Sequence, residues 1–401
     1  MARTSPNSIG RRNWTEAARQ ERLEALRRSR RVSLPNLALR LEDAEALRGQ
    51  IENFVGVVRV PVGVAGPLAV LGDSARGTFH VPLATTEGTL VLAVSRGAEA
   101  ITAAGGATVE ASEPEVSRAP LFAFPSGAAA QAAVAWTLTH VEQLRVAVAT
   151  QTRHGRLLRV EPVRMGRRLV LRFVYDTEDA AGQNMVTLAT AAACDWLRRQ
   201  APFARVEAFS IETNASRDKK IAALATAERR GRRVDADVTI PRAVVARSFR
   251  TTPDALARVA REGAYASIVS GAIGAQAQFA NTMSALFVAT GQDVATVAES
   301  GTGLTIMEAT GTGDLYASIT IPNLVVGTVG GGTRLPSQRE CLTILGCAGS
   351  GHGKKFAEIV GATVLAGELA LVASLATNTF AQAHATFGRP PRPTSPEETP
   401  R

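Results

Sequence analysis

Four short strings place reactive side chains among small or apolar neighbours. Glu87 sits in ATTEGTLV, between threonines and a glycine and just ahead of an apolar run. Asp218, Lys219 and Lys220 stand together before IAALATAERRG, Asp293 ends FVATGQD, and His384 lies in FAQAHATFGR, which leads to Arg389. Carboxylates, an ammonium and an imidazole are the groups that general acid–base and charge-stabilising catalysis draws on. Taken singly, each also has a bland explanation: an aspartate before a helix is commonly an N-cap, and a lone histidine near a C-terminal helix is commonly structural. The glycine-rich strings are more deceptive. GSGHGKK (349–355) misses the phosphate-loop pattern, because Ala348 stands where its first glycine belongs and Lys355 where a serine or threonine belongs. No G-x-G-x-x-G follows a strand, so a Rossmann cofactor site is unsupported. GTVGGGT (327–333) lets a backbone pass close to a ligand or another chain, or simply turn tightly.

The elements that would position these residues show in the periodicity. Leu121–Phe124 reads as a strand, Ala128–Thr150 as a long helix, and Arg156–Val163 and Leu169–Tyr175 as strands around a turn at Met165–Gly166. Asn184–Gln200 reads as a helix and Arg205–Phe209 as a strand. The order βαββαβ over about 90 residues is the ferredoxin-like split pattern. Segments of different texture flank it, so the predicted fold is α+β with an inserted ferredoxin-like domain at 120–209. The flanks, 51–119 and 210–389, then fold together as one larger domain. Residues 1–50 form a basic helical arm, with one helix over 14–31 ended by Pro35 and a second over Leu41–Ile51. The five prolines of 390–401 mark a tail that cannot form a core.

Composition bounds the function. The chain has 401 residues, 45% of them hydrophobic and 20% charged, an ordinary globular balance. Of its net charge of +9, residues 1–40 carry +7, with ten Arg against three Glu. The body is close to neutral, which argues against a uniformly basic nucleic-acid face. The arm reads as a solvated helix packed on the body, with an acidic partner or a membrane surface as the alternatives. Three cysteines suggest a reducing, cytoplasmic setting. No secretory signal is expected, and the apolar segment Ile359–Phe380 reads as a core helix because Glu368 and Asn378 interrupt it.

Nine strings, in order, resemble class I 3-hydroxy-3-methylglutaryl-CoA (HMG-CoA) reductases over 52–389. They are ENFVG with RVPVGVAGPL (52–68), VPLATTEGTLV (81–91), DAAGQNM (179–185), DKK (218–220), ATGQD (289–293), DLY (314–316), GTVGGGT (327–333) and AGELALVASLA (366–376). The resemblance implies a small NADPH-binding domain, which the βαββαβ insertion matches, and a large substrate-binding and dimerisation domain. It implies a soluble homodimer or larger homo-oligomer acting on a CoA thioester without nucleic acid or membrane. Its implied reaction takes HMG-CoA to mevalonate through a hemithioacetal and an aldehyde, using two NADPH.

Carried over position by position, the catalytic residues are Glu87, Lys219, Asp293 and His384. Lys219 would stabilise the oxyanion and His384 protonate the thiolate leaving group. Glu87, with its pKa raised by burial, would supply the aldehyde's proton, and Asp293 would hold Lys219 and Glu87 in one network. Asp179, Gly182 and Asn184 would face the nicotinamide, with Gly331 and Thr333 also on the cofactor side. Arg153 and Arg389 fit its phosphates, which favours NADPH over NADH. Arg118, Asp218, Lys220 and Asn281 match substrate positions, and Arg96 a CoA-side residue.

The departures gather at the acyl end. Two methionines of the nicotinamide motif become Ala181 and Gln183, and a substrate-contacting serine becomes Glu212. Glu262 falls where the family is basic, as does Glu99 near the CoA side. Carboxylates at 212 and 262 would repel a glutaryl carboxylate. Two alternatives therefore stand beside the HMG-CoA reading: reduction of another acyl thioester, on CoA or a carrier protein, and a non-catalytic relative that binds partners through its arm.

Overall fold

The protein is described by a computed structural model over residues 15–37 and 47–387. The predicted helix at Leu41–Ile51 falls largely on residues outside this range, as do Arg389 and the proline-rich tail.

The helices are α1 (Glu16–Arg30), α2 (Leu90–Ala103), α3 (Gly127–Thr139), α4 (Val141–Ala149), α5 (Gln183–Arg198) and α6 (Arg242–Phe249). They continue with α7 (Pro253–Ser270), α8 (Phe279–Thr290), α9 (Val297–Ser300), α10 (Pro336–Ile344), α11 (Gly353–Ala376) and α12 (Phe380–Phe387). The strands are β1 (Val62–Gly72), β2 (Arg76–Ala84), β3 (Ala107–Ala111), β4 (Val116–Arg118), β5 (Leu121–Ala123), β6 (Arg156–Met165), β7 (Arg168–Asp176) and β8 (Ala208–Ser210). Strands β9 (Arg232–Ile240), β10 (Leu304–Ala309) and β11 (Leu315–Leu324) complete the set.

Two sheets organise an α+β fold. The six-stranded sheet runs β10-β11-β9-β3-β1-β2, antiparallel except for the β1–β3 pair. Its core closes on α11, a 24-residue helix whose apolar and small residues are buried almost all round. A helix apolar on every side has to sit inside the protein or in a membrane. α11 is long and apolar enough to cross one, yet here it is wrapped by β-strands and by α2 and α8. Small residues set the packing distance. A Cβ on Gly97 of α2 would lie 1.9 Å from the Ala366 carbonyl oxygen, and one on Gly361 would lie 2.6 Å from Val234. Two carboxylates inside this helix, Glu358 and Glu368, are fully buried and bind backbone N–H groups. Glu358 caps Ser74 and Ala75 in the β1–β2 turn, while Glu368 accepts from Ala277, Gln278 and the Thr305 hydroxyl.

The second sheet runs β6-β7-β5-β8, all antiparallel, with α3, α4 and α5 supplying the helices. This is the βαββαβ order and strand arrangement expected of the ferredoxin-like pattern, around its own core of Phe122, Phe173, Tyr175, Leu197 and their neighbours. The short β4 extends this sheet by pairing with the end of β7. Two details differ from the sequence expectation. The long helix breaks at His140, where the imidazole takes the Trp136 carbonyl and stacks on its ring at 3.8 Å, while Thr139 also claims that carbonyl. Side chains that bind local carbonyls compete with the helix ladder. The last strand begins at Ala208 because Pro202 starts a turn at Ala201–Phe203 that continues to Val206. The first helix is α1, capped by Thr15.

α1 also accounts for part of the arm's charge. Arg19 and Arg22 are almost fully buried and donate to the Val55 and Phe54 carbonyls at 3.1 and 3.0 Å. Two of the arm's arginines are thus clamps on the ENFVG segment.

Candidate functional site

Three glycine-bearing strings, far apart in sequence, meet between the two sheets. Val329 of GTVGGGT forms a parallel bridge with Ala180 of DAAGQN, and Thr328 N–H donates to the Asp179 carbonyl at 2.8 Å. A Cβ on Gly327 would lie 2.5 Å from the Ala181 nitrogen, so this crossing needs glycine. From the ATGQD string, buried Gln292 exchanges two hydrogen bonds with the backbone of Gly327, at 2.8 and 2.9 Å. Gly291 packs on Gly332, where a Cβ would lie 2.3 Å from the carbonyl oxygen.

Asp293 follows directly from this crossing, and its carboxylate holds the Lys219 ammonium at 2.8 Å. Both side chains remain partly open to solvent, at 40% and 37%. Lys219 adopts φ +56° in a tight turn that also holds Arg217 at +62°. Side chains seldom tolerate this region, and at functional sites the surrounding structure has to enforce it. Glu299 of α9 accepts the Lys219 backbone N–H. Asp218 lies between two arginines, 2.6 Å from Arg230 and 3.0 Å from Arg118, which hold its carboxyl below the usual range against the opposing effect of burial.

Glu87 is exposed in the β2–α2 loop and accepts from the Asn281 amide at 3.1 Å. Asn281 begins α8 and Asp293 follows its end, so the Glu87–Asn281 and Lys219–Asp293 pairs occupy opposite ends of one helix. Nine residues from Asn281 to Thr290, at 1.5 Å each, separate them by about 14 Å. One chain therefore brings Lys219 to Asp293 and Glu87 to Asn281, and keeps the two pairs apart. His384 falls on α12.

On the cofactor side, Gly182 takes φ +77° at the start of α5, and a Cβ there would lie 2.4 Å from Thr177. No side chain caps α5, so its first-turn N–H groups, beside exposed Asn184, are free to meet an anion. Gly330 and Gly331 have positive φ and open space where a Cβ would be, whereas buried Thr333 bonds the Gly330 carbonyl at 2.6 Å. A cavity of about 480 Å³ lies at the β6 end of the small sheet, lined by Arg145, Arg153, His154 and Arg156 together with Asp176 and Glu178, which pair with Arg156 and His154. An uncapped helix start, an open diglycine and an arginine-lined cleft fit a phosphorylated dinucleotide. Asp179 is differently employed: its carboxylate takes the Gly351 and Gly353 N–H groups at 2.6 and 2.8 Å, tying this motif to the start of α11.

The residues expected at the acyl end are also heavily engaged. Arg118 is 7% exposed, and its three nitrogens bond Thr187, Asp218 and the Gln183 carbonyl. Glu212, read from sequence as a carboxylate facing the substrate, accepts from Ala119 and Thr213 N–H at 3.2 and 2.9 Å and lies 3.7 Å from Arg118. Glu262 is an exposed residue of α7 paired with Arg258 one turn away. Lys220 is exposed, with one bond to the Asp218 carbonyl. Half-buried Arg96 donates to the Ser248 carbonyl and stacks on Phe249, and burial lowers its pKa. Glu99 is exposed on α2. Sequence reasoning passed over Glu299, Arg230 and Gln292. Each is a polar residue buried by tertiary packing; Gln292 stands beside Asp293 in the ATGQD string, whereas Glu299 and Arg230 stand in no string that marks them.

The structure thus brings a lysine–aspartate pair to the meeting of three glycine-bearing strings, beside a ferredoxin-like unit and a larger α+β body. The sequence profile described as Hydroxymethylglutaryl-coenzyme A reductase matches residues 18–389. The chain is 43% identical over 380 residues to the 3-hydroxy-3-methylglutaryl-coenzyme A reductase of Pyrococcus abyssi, covering 93% of each chain. It is 44% identical over 352 residues to that of Haloferax volcanii, covering 86% of each. Among solved structures, the 3-hydroxy-3-methylglutaryl-coenzyme A reductase of Streptococcus pneumoniae shares the fold with a TM-score of 0.63, at 21% identity over 89% of this chain and 96% of that one. A class II structure from the same organism, bound to NADPH in open conformations, gives 0.64 at 21% identity, over 89% and 86%. The chain belongs to the hydroxymethylglutaryl-coenzyme A reductase family.

Proposed function

We infer that this protein is an NADPH-dependent reductase that converts HMG-CoA to mevalonate. The observation that carries the reading is the Lys219–Asp293 pair, set where three family strings meet beside an anion-ready helix start. The nine ordered strings support a place in class I; the class II neighbours share the fold at 21% identity, too low to bear on class.

NADPH supplies the two hydride equivalents when bound. The protein's part is positional and electrostatic. Residues 120–209 serve as the cofactor domain, with Asn184, Gly182, Gly331 and Thr333 at the nicotinamide side and Arg153 and Arg389 at the phosphates. Residues 51–119 and 210–389 serve as the substrate and dimerisation domain. The Lys219 ammonium, fixed by Asp293, stabilises the oxyanion that forms at the thioester carbonyl and again at the aldehyde. His384 protonates the departing CoA thiolate, and Glu87 supplies the proton of the alcohol. Asn281 orients Glu87. Arg118 and Asp218 brace the catalytic turn through partners inside the chain, which leaves the exposed Lys220 ammonium to hold the acyl carboxylate.

Glu212 does not conflict with that carboxylate, because two backbone N–H groups and Arg118 already occupy it. Glu212→Ala is expected to leave KM for HMG-CoA within about twofold while costing about 1 kcal/mol of stability as two part-buried donors lose their acceptor. Steady-state kinetics and thermal unfolding check both halves.

Because α8 holds Glu87 and Lys219 apart, we propose that each complete site takes Glu87 from one chain and Lys219 from another in a homodimer or larger assembly. Exposed Tyr265, Ile268 and Val269 on α7, with Leu304 and Ile306 on edge strand β10, supply apolar surface for such a contact. The free, buried cysteines suit a reducing compartment such as the cytoplasm.

The reading is tested by following absorbance at 340 nm and free thiol with HMG-CoA and NADPH. Two NADPH oxidised per thiol released is the expected stoichiometry. Binding of NADPH without turnover of HMG-CoA would overturn the substrate assignment.

A further inference from the structure

Lys219 is gripped at both of its ends by one short stretch of chain. Asp293, which opens the turn leading into α9, binds its ammonium, and Glu299, six residues later within α9, binds its backbone N–H. The two grips differ in environment. Asp293 is partly exposed, whereas Glu299 is 3% exposed and also takes the Lys220 N–H. The charged groups facing Glu299 are Arg230, whose Nε lies 3.5 Å away, and beyond it Asp218, which Arg230 binds at 2.6 Å. Compensation is incomplete. Glu299 Oε1 and the Nε and Nη1 atoms of Arg230 are buried without a hydrogen-bond partner. A buried carboxylate left short of partners is costly, and a protein retains one where the charge is used.

The strained backbone shows the use. Lys219 and Arg217 both hold positive φ, and a turn built this way relaxes unless something fixes its peptide groups. The Glu299 carboxylate is the group that fixes the Lys219 peptide.

We propose that Glu299 is a positioning residue for the reduction, holding the Lys219 turn in its strained conformation only while its carboxylate is ionised. The proposal rests on the assignment of Lys219 as the oxyanion-stabilising residue. Burial, opposed by Arg230, pushes the Glu299 carboxyl up to about 7. A carboxyl raised in this way is neutral below that pH and charged above it. The grip on the turn is therefore strongest on the alkaline side and weakens as pH falls through neutrality.

Glu299→Gln keeps the shape and one acceptor oxygen but never carries the charge. In the full-length enzyme with NADPH and HMG-CoA, the variant is expected to lose about tenfold in kcat at pH 8, the size of one charge-assisted hydrogen bond. Near pH 6, where the native carboxyl is itself neutral, it should match the wild type, with KM and NADPH affinity unchanged throughout. The same loss at both pH values, or no loss at either, overturns the proposal, since a purely structural role would not follow the ionisation. A second measurement needs no variant. Hydrogen exchange of the wild-type peptide over 214–222, normalised to a peptide in α11, should slow from pD 6 to pD 8; a flat ratio overturns the proposal equally. Lys219→Ala separates the two layers. Full activity in that variant would remove the catalytic assignment and this inference with it. Loss of activity there, with no pH-selective effect of Glu299→Gln, would remove only the inference.

Discussion

Lys219→Ala is expected to lower kcat on HMG-CoA by about 10³ while leaving NADPH affinity unchanged. The loss reflects where charge appears. In the ground state the thioester carbonyl is neutral, and an ammonium gains little from it. As the carbonyl carbon is reduced, a full negative charge forms on oxygen, and a fixed cation in a site of reduced polarity is worth far more there than in water. Removing one oxyanion donor costs on the order of 10²–10³ in turnover, and a charged donor belongs at the upper end. Asp293 would then be left without its partner, but both groups are more than a third exposed, so water compensates and the fold is little affected. Lys219→Arg should not restore turnover, because a planar fork cannot occupy the place of a compact ammonium on so constrained a turn. Stopped-flow reduction with pre-bound NADPH, beside a direct titration of NADPH, separates the two quantities. A KM increase with unchanged kcat would show that Lys219 binds substrate uniformly and leaves the transition state to another group.

Much of this site is legible in the sequence, for a particular reason. Glu87, Lys219 and Asp293 lie in loops between regular elements among small or polar neighbours, and beside Asp293 two backbones cross. The glycines of GTVGGGT and DAAGQN show why: at Gly327 and Gly182 a Cβ would collide with the opposing strand or with Thr177, so the strings stay recognisable wherever the crossing is kept. The ferredoxin-like order was legible through hydrophobic alternation, since each strand buries one face on a core of its own. The partners of these residues were not. Glu299 looks like a surface residue in VAES, Arg230 like one of a basic run, and Asp179 like a free carboxylate. Each is assigned by a contact from a segment far away in sequence, and local pattern carries no trace of it. Glu212 is the sharpest case. Read as a residue type it opposes an acidic substrate, yet Ala119 and Thr213 N–H groups and Arg118 absorb its charge. A carboxylate deep in an apolar helix is more telling, because burial there demands donors; Glu368 marked its helix as internal, and its ligands at Ala277, Gln278 and Thr305 supply the reason.

The separation along α8 leads to the other large effect. Glu87→Gln and Lys219→Ala should each be nearly inactive alone, and mixing the two purified variants under conditions that exchange subunits should recover activity. In a heterodimer of the two, one site combines both lesions, while the other combines the intact Glu87 of one chain with the intact Lys219 of its partner. Random exchange of equal amounts gives half heterodimers, so about a quarter of wild-type activity returns in a twofold-symmetric assembly. The outcome follows from geometry rather than from any property of the variants. If both residues served one site from the same chain, every site in every dimer would carry a lesion and mixing would restore nothing. The stretch of α8 between the two pairs, about 14 Å, underlies this expectation: within one chain Glu87 meets Asn281 near one end and Lys219 meets Asp293 past the other, on a helix seated in the core of the large sheet. Its Phe279, Met283, Leu286 and Phe287 are buried there against the same cluster that holds α11, so the helix is not free to slide. A second chain can present its own Glu87 to Lys219 without disturbing that packing.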